Sequence, residues 1–129
     1  MKTKYELEYT LNTSPYILFN RISTPEGLSE WFADDVNLSN GRYTFIWEGT
    51  EHQASVLHKK SNKSIRFHWE NAEDEPEDKE IYFEFKIHTE ELTGDVALII
   101  TDFAEEEDKS DAVDLWDSQI SELKRAIGL

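Results

Sequence analysis

The chain contains no cysteine, which excludes disulfides, thiolate zinc sites and cysteine nucleophiles. It therefore has to be stabilised by its core alone, and that fits a reducing compartment. Glycine is scarce, with five residues, and they fall in neither a Gly-x-Gly-x-x-Gly nor a Walker A arrangement, so no nucleotide-phosphate loop is expected. There is no Gly-x-Ser-x-Gly elbow. Long apolar runs are missing too. The longest, Val96 to Ile100, is far short of the ~20 residues that cross a bilayer, and no apolar run follows the basic start Met1-Lys2-Thr3-Lys4. Neither a signal peptide nor a membrane insertion is expected, and the expected location is the cytoplasm.

Basic residues are also few, 13 against 28 acids, for a net charge of −15. The deficit is uneven. Residues 1–64 hold 8 acids and 7 bases, while residues 65–129 hold 20 and 6, so the halves stand at −1 and −14. Such a surface repels phosphate backbones and anionic lipid, which argues against nucleic acid as a partner. It leaves open plain solvation or the steering of a basic protein partner.

Aromatic residues, by contrast, are plentiful: 4 Trp, 5 Tyr and 7 Phe in 129 residues, the length of one domain spanning 1–129. Most of them alternate with polar residues. Tyr5, Leu7, Tyr9 and Leu11 interleave with Glu6, Glu8 and Thr10 in a first strand with one wet face. Ser14-Pro15 and Thr24-Pro25 each place a cap before a proline at the first helical position. They predict two short helices, the first offering Leu18, Phe19 and Ile22 and the second Leu28, Trp31 and Phe32. Strands follow around Val36–Leu38, at Tyr43/Phe45/Trp47, near 51–59, at Ile65/Phe67/Trp69, at Ile81/Phe83/Phe85/Ile87 and from Val96 to about Phe103. Asn40-Gly41, Gly49-Thr50, Ser61-Asn62 and Thr93-Gly94-Asp95 are the turns. One-sided strands make an antiparallel sheet covered on one face, and here the cover must be helical. From about Ser110 to Ile127, Val113, Trp116, Ile120, Leu123 and Ile127 form a single stripe, with acids early, Lys124 and Arg125 late and Gly128 as the stop. The predicted class is α+β: a curved antiparallel sheet with two short helices after the first strand and a long C-terminal helix packed across it.

Two segments carry a resemblance. Thr24-Pro25-Glu26-Gly27-Leu28-Ser29-Glu30-Trp31-Phe32 looks like the second-helix signature of the START-like (helix-grip) superfamily, in the branch related to activators of the heat-shock-protein-90 ATPase. Trp116-Asp117-Ser118-Gln119-Ile120-Ser121-Glu122-Leu123-Lys124 resembles that branch's C-terminal helix. The resemblance implies the helix-grip fold and a cavity between sheet and helix. Residues able to line it are Tyr43, Phe45, Trp47, Phe67, Trp69, Phe83, Phe85, Trp116 and Ile120. These side chains either surround an apolar small molecule or lipid, or simply fill the space as core.

The four histidines are dispersed. His68 and His88 share parity with Arg66 and Lys86 and are expected on the wet face, while His58 shares parity with Ala54 and Val56 and is expected inward. The acidic stretch carrying Glu73, Asp74, Glu75, Glu77 and Asp78 lacks calcium-loop spacing and reads as a solvated loop, as does Glu105 to Asp108. Asp34-Asp35 reads as a loop that ends a helix, since adjacent side chains point apart. No metal, cofactor or catalytic residue is expected. Three functional classes result: a non-catalytic domain with an apolar ligand, as monomer or weak dimer; a co-chaperone-like interaction module meeting a basic partner; and a cyclase- or dehydratase-like enzyme, for which His58 and Tyr43 are the acid–base candidates.

Overall fold

The structure, a computed structural model, describes residues 2–70 and 81–129. Strand β1 (Lys2–Thr10) leads to helices α1 (Pro15–Ser23) and α2 (Pro25–Leu28). Six strands follow: β2 (Asp35–Ser39), β3 (Arg42–Trp47), β4 (Thr50–Lys60), β5 (Ser64–Trp69), β6 (Phe83–Thr89) and β7 (Val96–Glu105). A short 3-10 turn at Glu106–Asp108 then enters the long helix α3 (Lys109–Ala126).

All seven strands form one curved antiparallel sheet in the order β1-β7-β6-β5-β4-β3-β2. Among the described residues the one non-sequential neighbour is β1, which pairs with β7 because α1 and α2 carry the chain from one sheet edge to the other. The Asn40-Gly41 turn falls where expected, whereas the next turn is Glu48-Gly49, one residue before the expected Gly49-Thr50. Asn40 and Gly41 sit at φ 53° and 78°, Glu48 and Gly49 at 51° and 80°, so both two-residue hairpins use left-handed backbone at each central position.

Both proline-led helices are capped by the preceding hydroxyl: Ile17 N–H donates to Ser14 Oγ at 3.0 Å, and Gly27 N–H to Thr24 Oγ1 at 2.9 Å. The second helix is shorter than its apolar spacing predicts. The amides of Trp31, Phe32 and Ala33 all converge on the single carbonyl of Leu28, at 3.4, 2.9 and 3.3 Å. The chain tightens there instead of adding regular turns, and Trp31 and Phe32 are delivered from the tightened segment. Trp31 is fixed by its indole N–H on Arg21 O at 2.8 Å.

Inward positions of the strands form one apolar layer, and α3 closes over it with Trp116, Ile120 and Leu123 buried. Two histidines depart from their predicted surroundings. β4 carries a bulge between Val56 and His58, so Val56 pairs with Phe67 but His58 pairs with Arg66. One extra residue reverses side-chain parity, and His58 is exposed on the outer face rather than inward. His68 keeps its outer parity but is buried. The chain before β6 lies against it, with Ile81 O 3.1 Å from its Nδ1 and Tyr82 stacked on the Arg66 guanidinium at 3.9 Å. His88 is exposed as expected. The stretch 71–80, including the acidic residues read as a loop, lies outside the described residues.

Candidate functional site

The concave face is an aromatic lattice organised around Phe32. Its ring meets Phe45 and Phe85 edge-on, at 5.2 and 5.6 Å between centroids, and stacks with Phe83 and Trp116, both at 5.7 Å. Phe67 and Phe83 stack at 4.8 Å, as do Trp69 and Phe83. Of the nine side chains considered as cavity lining, Tyr43, Phe45, Phe67, Phe83, Phe85 and Ile120 lie in this packed layer, each at most 2% exposed. Tyr43 directs its hydroxyl to Ser23 O, and burial raises its pKa above the ordinary value.

Trp47, Trp69 and Trp116 are arranged differently. Together with Phe32, Ala112, Leu115, Gln119 and Asp102 they line a cavity of about 320 Å³ between α3 and the sheet. It borders the lattice at Phe32 and Trp116, is partly open to solvent, and includes Leu115, an exposed leucine on α3. Its walls are held by hydrogen bonds. Trp47 Nε1 and Gln119 Nε2 both donate to Phe32 O, at 2.8 and 2.9 Å, tying β3, α3 and the Phe32 segment to one carbonyl. His52 lies behind, with its ring 5.6 Å from Trp47 and 6.1 Å from Trp69.

The charged member of the cavity is Asp102. It shares the inward parity of Leu98 and Ile100 on β7 and is paired in register with Tyr5. Its Oδ2 accepts from Trp116 Nε1 at 3.2 Å and from Tyr5 Oη at 3.3 Å, and its Oδ1 accepts from Phe103 N–H at 2.8 Å. Burial pushes its pKa above the ordinary 3.8, opposed by these donors and by the charge of Lys2. The Tyr5 hydroxyl is pushed up to about 12, first by burial and then by the Asp102 charge. Further along β1, Tyr9 Oη donates to Asp117 Oδ1 on α3 at 2.6 Å; burial first, and then Asp117, raises its pKa.

Asp102 is absent from the residues singled out above, although its parity with Leu98 and Ile100 is visible in the sequence and marks an inward carboxyl. Phe32 is expected inward from the second helix but not as cavity lining, and Gln119 carries no comparable signal, because its position depends on the axial placement of α3. Neither proposed acid–base group faces the cavity, since His58 is on the outer face and the Tyr43 hydroxyl is held by a backbone carbonyl. Among the described residues no group of three His, Asp or Glu side chains converges to hold a metal ion, and no helix is long and apolar enough to cross a membrane.

A seven-stranded sheet gripped by one long helix, with a small apolar cavity beneath it, defines an α+β helix-grip domain. The chain belongs to the START-like superfamily, whose domain model matches residues 1–129. It is 47% identical to BfR322 from Bacteroides fragilis, a solution structure; the match covers 99% of this chain and 93% of that one, with a TM-score of 0.66. The fold is also that of the Aha1 dimer from Colwellia psychrerythraea, at 17% identity, TM-score 0.78 and coverage of 96% and 95%. Protein MLL2253 from Mesorhizobium loti shares it at 15% identity, TM-score 0.76 and coverage of 98% and 97%. No curated protein matches the chain.

Proposed function

We propose that this START-like domain binds a small, flat, apolar molecule in the cavity between α3 and the sheet. The observation that carries this reading is the cavity of about 320 Å³ walled by three indoles and Phe32, with Leu115 exposed at its lip. A leucine 61% exposed beside half-buried tryptophans leaves apolar surface in water that a ligand would cover. The volume lies at the low end of small-molecule sites, roughly 300–1,000 Å³. It suits two or three fused rings better than a long acyl chain, because the buried phenylalanines fill the rest of the interior.

A thermal-shift series with naphthalene-sized aromatics tests it. Binding only to the native state stabilises by about 2.7 kcal/mol at a hundredfold excess over Kd, which is several degrees in Tm for this length. Ala112→Phe, which plugs the cavity, should abolish the shift relative to its own unliganded Tm. Leu92→Ala, at the 94% exposed tip of the β6–β7 hairpin, should leave it intact. Equal shifts in both variants would place binding on the surface and end this reading.

One observation favours a second reading. Asp102 is an acid–base group with a raised pKa that faces the cavity, as a cyclase- or dehydratase-like enzyme requires. Turnover lost in Asp102→Asn, with ligand affinity kept, would separate catalysis from binding.

A further inference from the structure

The charge and hydrogen-bond polarity of the cavity define its ligand more narrowly than its shape does. The indole N–H groups of Trp47 and Trp116 are already committed, the first to Phe32 O and the second to Asp102, which also takes the hydroxyl of Tyr5. What the walls offer a ligand is chiefly acceptors and ring faces. The acceptors are the Asp102 carboxyl and the Gln119 amide oxygen; the faces belong to Phe32, Trp47, Trp69 and Trp116. Among the described residues no Lys, Arg or His lines the cavity. Lys2 acts on Asp102 from β1, Lys109 Nζ stands 6.0 Å from the Tyr5 ring, and His52 lies behind Trp47 and Trp69.

Resting on the binding reading above, we infer that the ligand is cationic: an aromatic or alkyl ammonium whose charge lies between the tryptophan faces and the Asp102 carboxylate. A cation gains from both. Aromatic faces attract it through their quadrupoles, most strongly for Trp and more so away from water, and a partly buried carboxylate at the same wall is its counter-ion. An anionic ligand meets the opposite conditions, with no cationic side chain among the described lining and a negative charge at close range, which argues against fatty acids as the preferred class. The net charge of −15 acts in the same direction by concentrating cations around the molecule. Ligand binding and ionisation of Asp102 are then coupled, so an ammonium draws the proton off this carboxyl.

The test holds the ring body constant and varies the charge. Calorimetry at neutral pH and fixed ionic strength compares 2-naphthylmethylammonium, 2-naphthalenemethanol and 2-naphthoate. The ammonium is expected to bind about tenfold more tightly than the alcohol, with the carboxylate weakest. In Asp102→Asn that advantage should vanish while the alcohol binds as before. Trp69→Leu should weaken the ammonium more than the alcohol. In the wild type, ammonium affinity should fall as pH drops through the titration of Asp102, with the alcohol unaffected; should Asp102→Asn not fold, this series decides. An alcohol or carboxylate that binds as tightly as the ammonium, or a preference that survives Asp102→Asn, overturns the cationic assignment and leaves the cavity reading standing. If none of the three binds, the cavity reading itself fails, and this assignment with it.

Discussion

Asp102 shows how a single residue links stability to the site. A carboxyl whose folded pKa lies above its unfolded one is favoured in its protonated form by folding. Its stabilising contribution is complete below the unfolded value, ordinarily 3.8, and is lost as pH rises through the folded value. Asn cannot titrate, so Asp102→Asn removes this dependence whatever its effect on absolute stability. The stability of the wild type relative to Asp102→Asn should therefore decline from its acid value as pH rises above 3.8, then level off. Urea melts of both proteins between pH 3.5 and 8 measure it. A gap that stays constant or widens in favour of the wild type with rising pH would mean that the donors Trp116, Tyr5 and Phe103 N–H outweigh burial. The acid-sensitive group is legible in principle, because β7 alternates and Asp102 occupies an inward place in it. What the sequence does not contain is the pairing of β7 with β1, which sets Tyr5 opposite, or the azimuth of α3, which brings the Trp116 indole N–H to the carboxyl.

Elements were predictable to different degrees for physical reasons. Strands with period-two alternation and helices with Ser-Pro or Thr-Pro starts are specified locally, and the structure places them as expected. The bulge in β4 is not, since one inserted residue leaves no compositional trace yet reverses His58. The end of α2 is similarly hidden, because Leu28, Trp31 and Phe32 keep helical spacing whether or not regular turns continue. The crossing of α1 and α2 turns on Gly27, where a Cβ would collide with Asn20 O and lie 2.7 Å from Arg21 Cα and 2.8 Å from Thr24 Oγ1. Helix propensity alone favours Gly27→Ala by about 1 kcal/mol. Backbone atoms cannot swing aside as side chains do, so the close approach should dominate, with a net loss of about 1–3 kcal/mol. Chemical denaturation decides the sign, and a stabilised variant would show that α1 and α2 are not in contact at this point. The consequence reaches the site, since the same segment delivers Phe32, whose carbonyl receives both Trp47 and Gln119.

For the whole molecule, position of charge matters as much as its sum. The half holding β5 to β7 and α3 carries −14 and also contributes Trp69, Asp102, Trp116 and Gln119 to the cavity. Exposed acids on α3, such as Asp111, Asp114 and Glu122, exceed the local cations, even with Arg125 paired to Glu122 at 2.9 Å. Like charges at this density repel over a Debye length of about 30 Å at 0.01 M salt and about 8 Å at 0.15 M. Unfolding separates them, so the folded state bears most of the repulsion at low ionic strength. Raising NaCl from 10 to 150 mM should stabilise the protein by about 1 kcal/mol, or roughly 4 °C in Tm. Ion pairs at the surface, Arg42 with a half-buried Glu70 and Glu30 with a half-buried Arg21 among them, weaken under the same change but contribute only about 1 kcal/mol each. They moderate the gain without reversing it. Calorimetric melts in NaCl and KCl should superimpose, because screening does not depend on which cation provides it. A fall in Tm with salt would mean that ion pairing outweighs repulsion, and unequal curves would mean that one cation is bound rather than merely concentrated around the acidic half.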